Sequence, residues 1–202
     1  MNFSDYKKTI DVIVESLLMV QKTSPNVATA NEASRREYIS PILHGVAYFF
    51  QNSIKIYPEH ELVGSYGHGP VDWTIMVNNK YILITEAKKV DVDHGVGQNI
   101  IQLQSTFQKN RKNNHDSPSV LYGIVTTALL WVILKVVLKE SDNNDRPIEV
   151  FKSSLTPIIL PLSEPGLNKA SLTPRVEELF GQLLWIFNEQ LNSGGTLKRS
   201  HT

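Results

Sequence analysis

The chain has 202 residues, with 20 Lys and Arg against 20 Asp and Glu, so its formal net charge is zero. This length predicts one domain with a sizeable core. The balanced charge excludes binding of nucleic acid through bulk electrostatics, so any such binding must rest on a local patch. The absence of cysteine excludes disulfide scaffolds, cysteine nucleophiles, zinc–thiolate sites and iron–sulfur clusters.

The hydrophobic pattern predicts an alternation of helices and strands. In chain order we expect helices at 4–22 and 31–51, strand pieces at 53–57 and 61–65 around Pro58, a hairpin of 71–77 and 81–87, a helix at 96–110, strands at 119–126, 129–138 and 148–151, and a helix at 174–191. The uncharged run 117–134 is long enough to span a membrane, but it is rich in β-branched residues. Two buried strands are therefore expected there, in an α/β protein.

The ends of the chain lead to expectations about organisation and location. Acidic residues interrupt the first apolar stretch at Asp5, Asp11 and Glu15, and no small-residue cleavage site follows, so we expect no signal peptide. We expect an intracellular protein, nuclear or cytoplasmic, that does not associate with membranes. Its single domain is predicted over 1–192, with a helical extension at 1–28, a core at 30–190 and a disordered tail at 193–202.

The predicted hairpin, within 67–89, places two carboxylates and a lysine inside strands, where charged side chains are costly. Side chains alternate between the two faces of a strand. The residues expected to share a face are Asp72, Thr74 and Met76 in the first strand, and Ile82, Ile84, Glu86 and Lys88 in the second. The hairpin is therefore the strongest candidate for a site.

The register of the hairpin decides whether Asp72 and Glu86 meet. A two-residue turn at Asn78 and Asn79 would place the two acids on opposite faces, whereas a three-residue loop or a bulge would set them directly opposite each other. Opposed carboxylates repel, so this arrangement predicts a positive group between them. Carboxylate oxygens select hard cations, and we therefore expect Mg²⁺ or Mn²⁺. A lysine beside such an ion, here Lys88, can orient a water or neutralise charge on a phosphate.

A simpler interpretation of the hairpin stays open at this point. It would be an exposed edge hairpin, with a solvated pair of Glu86 and Lys88 and an unrelated Asp72 near a turn.

A third acid, Glu32, lies in the second predicted helix. At 100° per residue it falls only about 20° from the core residue Ile39, so we expect it to point inward and to join the site. Two alternatives remain for Glu32. Its negative charge would stabilise the N-terminus of the helix by interacting with the helix macrodipole, or it would pair with Arg36 at a spacing of i,i+4.

The ordered set of acids, lysine and glutamine resembles the PD-(D/E)XK nuclease superfamily, through Glu32, Asp72, the run Glu86-Ala87-Lys88 and the helix QNIIQLQ at 98–104. The segments GHGPVDWTI, ITEAKK, GVGQNIIQLQS and LYGIVTTALLWVIL are similar to fungal nuclease-like domains of crinkler-type effectors. This likeness covers roughly residues 30–190 and implies a restriction-endonuclease-like core, with a central mixed β-sheet flanked by helices on both faces. The chain departs from the pattern at Pro70-Val71-Asp72, and the N-terminal translocation header of crinklers is not visible.

The resemblance also implies roles for the matching residues. Asp72 and Glu86 would be metal ligands, Lys88 the catalytic lysine and Glu32 the helix acid that completes the metal site, with Gln98 and Gln102 as polar residues nearby. His68 and Lys89 are further candidates for contact with substrate.

The function implied is hydrolysis of DNA phosphodiester bonds by a metal-activated water, with Mg²⁺ or Mn²⁺ as cofactor, DNA as partner with RNA left open, and a homodimer as one open assembly. The alternative is an inactive nuclease-fold module that binds nucleic acid or a protein partner as an effector.

Overall fold

The computed structural model describes residues 3–50, 53–63, 68–77, 80–87, 92–113, 119–139, 148–152 and 156–193, with the backbone alone at 63, 68–69, 82–87, 111–113 and 193. Its elements are α1 (Phe3–Thr23), α2 (Glu32–Tyr48), β1 (Ile54–Val63), β2 (His68–Val77), β3 (Lys80–Ala87), α3 (Val92–Asn113), β4 (Val120–Thr126), β5 (Leu130–Leu138), β6 (Ile148–Lys152), β7 (Ile158–Ile159) and α4 (Lys169–Ser193). Every helix and longer strand expected from the sequence is present, with ends shifted by a few residues.

One expectation about the strands is wrong. The two pieces predicted around Pro58 form a single strand, β1, that runs through the proline. Pro58 is tolerated because β1 lies at the edge of the sheet, where its missing N–H group deprives no second neighbour of a hydrogen bond.

The strands of the described residues form one seven-stranded sheet in the order β1-β2-β3-β4-β5-β6, with β7 also paired to β5. The pair β3–β4 is parallel and the other pairs are antiparallel. α3 connects the two parallel strands as a crossover helix, which a parallel connection requires. The run 117–134 supplies β4 and the start of β5, as expected. In the part of the chain that is described, no helix combines the length and the apolar character needed to cross a membrane.

Helices cover both faces of this sheet. On one face, the largest core cluster joins α1, α2 and α4 to the sheet residues Trp73, Ile75 and Ile124. On the other face, α3 packs through Leu103 and other apolar residues against the sheet. The predicted fold class, a central mixed sheet flanked by helices on both faces with α2 and α3 on opposite sides, is confirmed.

Arg35 ties the start of α2 to the sheet. Its buried guanidinium donates hydrogen bonds to the carbonyl oxygens of Ala30 (3.1 Å), Ala28 (3.0 Å) and Thr127 (2.5 Å). Burial lowers the pKa of Arg35, and the nearby charge of Glu32 partly offsets that effect. The guanidinium therefore holds together the loop before α2 and the turn between β4 and β5.

Gly123 allows α3 to lie close to β4. A Cβ atom added at Gly123 would meet the Asn99 side chain at 1.8 Å and Leu103 Cδ1 at 2.9 Å. Both neighbours are fully buried and have little room to move.

We therefore expect Gly123→Ala to lower the free energy of unfolding by about 3 kcal/mol, because the added methyl group overpacks the contact between α3 and β4. The measurement is urea unfolding followed by circular dichroism. Gly97→Ala is the matched control, since a Cβ atom at this position of α3 meets nothing within 4 Å. The control should raise stability by about 0.5–1 kcal/mol through helix propensity. Equal stabilities of the two variants would contradict the close packing at Gly123.

Candidate functional site

The connection between β2 and β3 is shorter than expected. Val77 pairs with Lys80, which leaves only two residues, 78–79, between the strands in place of the three-residue loop. The register then shifts between Ile75 and Met76, so that one extra residue of β3 enters the pairing. This is the bulge that was the other expected route to the same register.

Beyond the bulge, Trp73 pairs with Thr85. This is the last recorded pair of the ladder, and Asp72 and Glu86 are the next residues beyond it on the two strands, so their direct pairing stays a prediction. In the parallel pair, Glu86 itself lies beside Val125 of β4. Positions 72 and 86 therefore lie on adjacent strands, just beyond the last recorded pair, and the side chain of Glu86 lies outside the described residues.

Near Asp72, the alternation of side chains between the two faces of the sheet is interrupted in both β1 and β2. Ile56 and Trp73 pack on the side of α2, whereas Leu62 and Val71 pack on the side of α3. Residues an even number apart normally share a face of a strand, so the backbone must depart from regular alternation between them. The change falls in the same place on both strands.

Glu59 and Asp72 lie at that place. The ladder pairs Pro58 with Trp73 and His60 with Val71, which leaves Glu59 and Asp72 between these two pairs. Glu59 has a φ of 50°, in the left-handed region that non-glycine residues seldom adopt. Such a conformation costs about 1–2 kcal/mol and persists only where the surroundings hold it.

The side chain of Asp72 contacts α2. Its Oδ1 accepts a hydrogen bond from Nη2 of Arg36, and Nη1 of Arg36 donates to Oε1 of Glu59 at 2.6 Å. Asp72 is only 8% exposed, whereas Glu59 is exposed. Burial alone would lower the pKa of Arg36, but its bonds to Glu59 and its attraction to both carboxylates raise that pKa. Arg36 is therefore charged, and it compensates the negative charge of Asp72.

This contact corrects the expected face of Asp72. Met76 packs against the cluster on the side of α3, while Asp72 bonds to a residue of α2 on the other side of the sheet. The expectation that Asp72 shares a face with Met76 is wrong, because the regular alternation of side chains in β2 is interrupted next to Asp72.

The local structure of α2 explains why Arg36 reaches the strands. The side chain of Asn31 caps the helix by accepting a hydrogen bond from the N–H of Ser34 at 2.8 Å. Ile39 and Leu43 are fully buried against the sheet and set the rotation of the helix. Arg36, half-buried beside this stripe, extends toward Glu59 and Asp72.

Glu32 does not point inward as expected, since its side chain is exposed. It is the first residue of α2, and side chains in a helix lean toward the N-terminus, past the end of the covering layer. Among the described residues, no element buries that end of the helix face. The alternative pairing with Arg36 is not the one recorded, because Arg36 bonds to Glu59 and Asp72. The role of Glu32 in a metal site stays a prediction.

The remaining candidates fall into two groups. Gln98 and Gln102 are half-buried on α3, which covers the face opposite α2, so they belong to a different layer from Arg36. Lys88 and Lys89 lie outside the described residues, as do the side chains of His68 and Glu86. Their roles remain predictions.

The chemistry of Asp72 fits a hard divalent cation. Its carboxylate is buried, so its charge needs a cation close by, and carboxylate oxygens are the ligands that Mg²⁺ and Mn²⁺ prefer. Arg36 shows that a positive group can be accommodated at this oxygen. Among the described side chains there is no group of three or more His, Asp or Glu residues placed to hold a metal ion. The predicted ligand Glu86 is not among these side chains.

Sequence reasoning missed Arg36 and Glu59. Arg36 entered only as a possible i,i+4 neighbour of Glu32, and Glu59 carried no signal beyond following Pro58. The requirement for a positive group beside Asp72 was present in the hairpin pattern. The identity of that group depends on how α2 packs against the sheet.

Comparisons with known proteins find two effector proteins that are similar in sequence to this chain. No family model matches it. It is 25% identical over 194 residues to Crinkler effector protein 1 of Rhizophagus irregularis, which covers 93% of this chain and 39% of that protein. It is 31% identical over 143 residues to Crinkler effector protein 5 of Phytophthora infestans, which covers 70% of this chain and 39% of that protein. The chain thus spans about two fifths of the length of these curated relatives.

Among solved structures, the fold is similar to that of the type IIG restriction endonuclease BpuSI. The TM-score is 0.48 at 18% sequence identity, over 86% of this chain and 18% of that chain.

Proposed function

We propose that the chain is a nuclease that hydrolyses DNA phosphodiester bonds with Mg²⁺ or Mn²⁺. The observation that carries the proposal is the register of β2 and β3. Trp73 pairs with Thr85 at the end of the recorded ladder, and the buried acid Asp72 and the acid Glu86 are the next residues beyond that pair on the two strands. Two adjacent acids in the interior of a sheet, with Lys88 two residues further on, are costly unless they serve a site.

In this proposal each candidate residue has a separate role. Asp72 and Glu86 hold the ion, with Glu32 as the third acid, and Lys88 neutralises charge that develops on the phosphate. When bound, the ion would supply an activated water and polarise the phosphate. Gln98, Gln102, His68 and Lys89 contact the substrate backbone, where amides, imidazoles and amines are ordinary phosphate partners.

A second candidate is a module without activity that binds nucleic acid or a protein partner. The names of the relatives describe effectors, and Arg36 already compensates the charge of Asp72 without an ion. A chain of this kind would keep the fold and bind its partner through its surface.

Incubation with supercoiled plasmid and with linear DNA, each with Mn²⁺ or with EDTA, separates the two candidates. We expect the parent to cleave DNA with Mn²⁺ and not with EDTA, and Asp72→Asn to lose cleavage. Glu178→Gln is the control, since Glu178 pairs with Arg175 on the exposed side of α4 and should leave cleavage unchanged. A parallel incubation with single-stranded RNA shows whether the chain also cleaves RNA.

The module is supported by a different result. It predicts no cleavage of any substrate, and no binding of Mn²⁺ by calorimetry while Asp72 and Glu86 are both intact.

A further inference from the structure

We propose that Arg36 is an internal cation that competes with the divalent metal for Asp72, and that Glu59 retains Arg36 when the metal enters. In this role Arg36 is a positioning residue that sets the metal affinity of the site. The inference rests on the proposed nuclease function, and it adds two residues that neither the sequence pattern nor the comparisons point to.

The first argument is the division of the guanidinium between two carboxylates. One terminal nitrogen bonds to Asp72 and the other to Glu59. The third nitrogen, Nε, is buried and has no acceptor among the described residues. Within this part of the chain, the head of Arg36 is thus held by two acids, and it can leave one while staying bonded to the other.

The second argument is the difference in exposure between the two acids. The side chain of Asp72 is 8% exposed and that of Glu59 is 70% exposed. A buried carboxylate left without a cation is strongly unfavourable, whereas an exposed carboxylate is well solvated. Asp72 therefore favours a nearby cation more strongly than Glu59 does, and Glu59 can accept or release one at little cost.

The third argument is the backbone of Glu59. Its φ of 50° is strained for a residue with a side chain, and it falls where β1 and β2 change faces. The described partner of its side chain is Arg36. Glu59 in this conformation bonds to the guanidinium that also bonds to Asp72, so the three residues form one unit.

Electrostatics then determines whether the charge of Arg36 strengthens or weakens metal binding. An arginine side chain keeps its proton in proteins, so it cannot make room for a divalent ion by becoming neutral. Two positive groups at one carboxylate repel, and in this inference Arg36 withdraws from Asp72 toward Glu59 as the ion binds. Removing the positive charge of Arg36 should therefore strengthen metal binding.

The test is calorimetric titration of the full chain with Mn²⁺ alone. We expect Arg36→Met to bind Mn²⁺ at least about tenfold more tightly than the parent, and Arg36→Lys, which keeps the charge, to bind like the parent. We expect Glu59→Gln to bind several-fold more weakly, because Arg36 then has no charged alternative to Asp72. Arg175→Met is the matched control, since it removes an exposed arginine from α4, and it should not change the affinity.

The outcomes separate this inference from the proposed function. If the parent binds Mn²⁺, Asp72→Asn does not, and Arg36→Met binds no more tightly than the parent, Arg36 is no competitor and the inference fails alone. If neither the parent nor Asp72→Asn binds Mn²⁺, both fail. Should Arg36→Met not fold, Glu59→Gln still decides, because equal or tighter binding by that variant overturns the inference.

Discussion

We expect Lys88→Ala to lower the rate of DNA cleavage by about 10²–10³-fold or more, while leaving the folded chain nearly as stable as the parent. In the proposed function Lys88 stabilises charge that appears on the phosphate only in the transition state, so its loss acts on the rate of reaction and not on the core. The measurement is single-turnover cleavage of a labelled duplex with Mn²⁺, together with a thermal melt of each variant.

The control for this experiment is Lys152→Ala, which removes an exposed lysine from β6. It loses the same charge from the surface, so it separates a local effect of Lys88 from a general loss of affinity for DNA. Undiminished cleavage by Lys88→Ala would show that the chemistry lies elsewhere in the chain. An equal loss in both variants would indicate that bulk charge, and not a positioned lysine, supports cleavage.

The second large effect concerns stability. We expect Arg35→Met to lower the free energy of unfolding by about 3–5 kcal/mol, because three carbonyl oxygens lose the donor that the buried guanidinium provides. Methionine keeps much of the apolar volume, so the loss reports the hydrogen bonds more than a cavity. Urea unfolding of both proteins measures the difference.

Arg175→Met is the reference for this measurement. Arg175 pairs with Glu178 on the surface of α4, and such exposed pairs contribute about 0.5 kcal/mol or less. A loss below about 1 kcal/mol in Arg35→Met would mean that water replaces the guanidinium at the carbonyl oxygens. Arg35 would then not be what holds the start of α2 to the turn after β4.

The two neighbouring arginines of α2 show where sequence reasoning stops. Arg35 and Arg36 are adjacent and chemically identical in the sequence, yet Arg35 is buried against carbonyl oxygens and Arg36 joins two carboxylates. Their different roles follow from the 100° between successive helical side chains and from what covers each direction. Glu32 illustrates the same point, because its position on the helix predicted a buried side chain and the side chain is exposed.

The candidate site was predicted in part. A register shift of one residue between β2 and β3 was expected, and the structure contains that shift, while the direct opposition of Asp72 and Glu86 stays a prediction. The repulsion expected between these acids called for a cation. Packing of α2 brings Arg36 to Asp72, so the buried carboxylate is compensated within the chain itself.

By itself, the sequence determined the order of helices and strands, including the two strands that begin within the run 117–134. These features follow from local periodicities of 3.6 and 2.0 residues, which each segment carries within itself. Only the tertiary structure decided the change of faces at Glu59 and Asp72, the exposure of Glu32 and the partners of Arg36. Each of these depends on contacts between segments far apart in the chain, and on a strained backbone angle that no local pattern encodes.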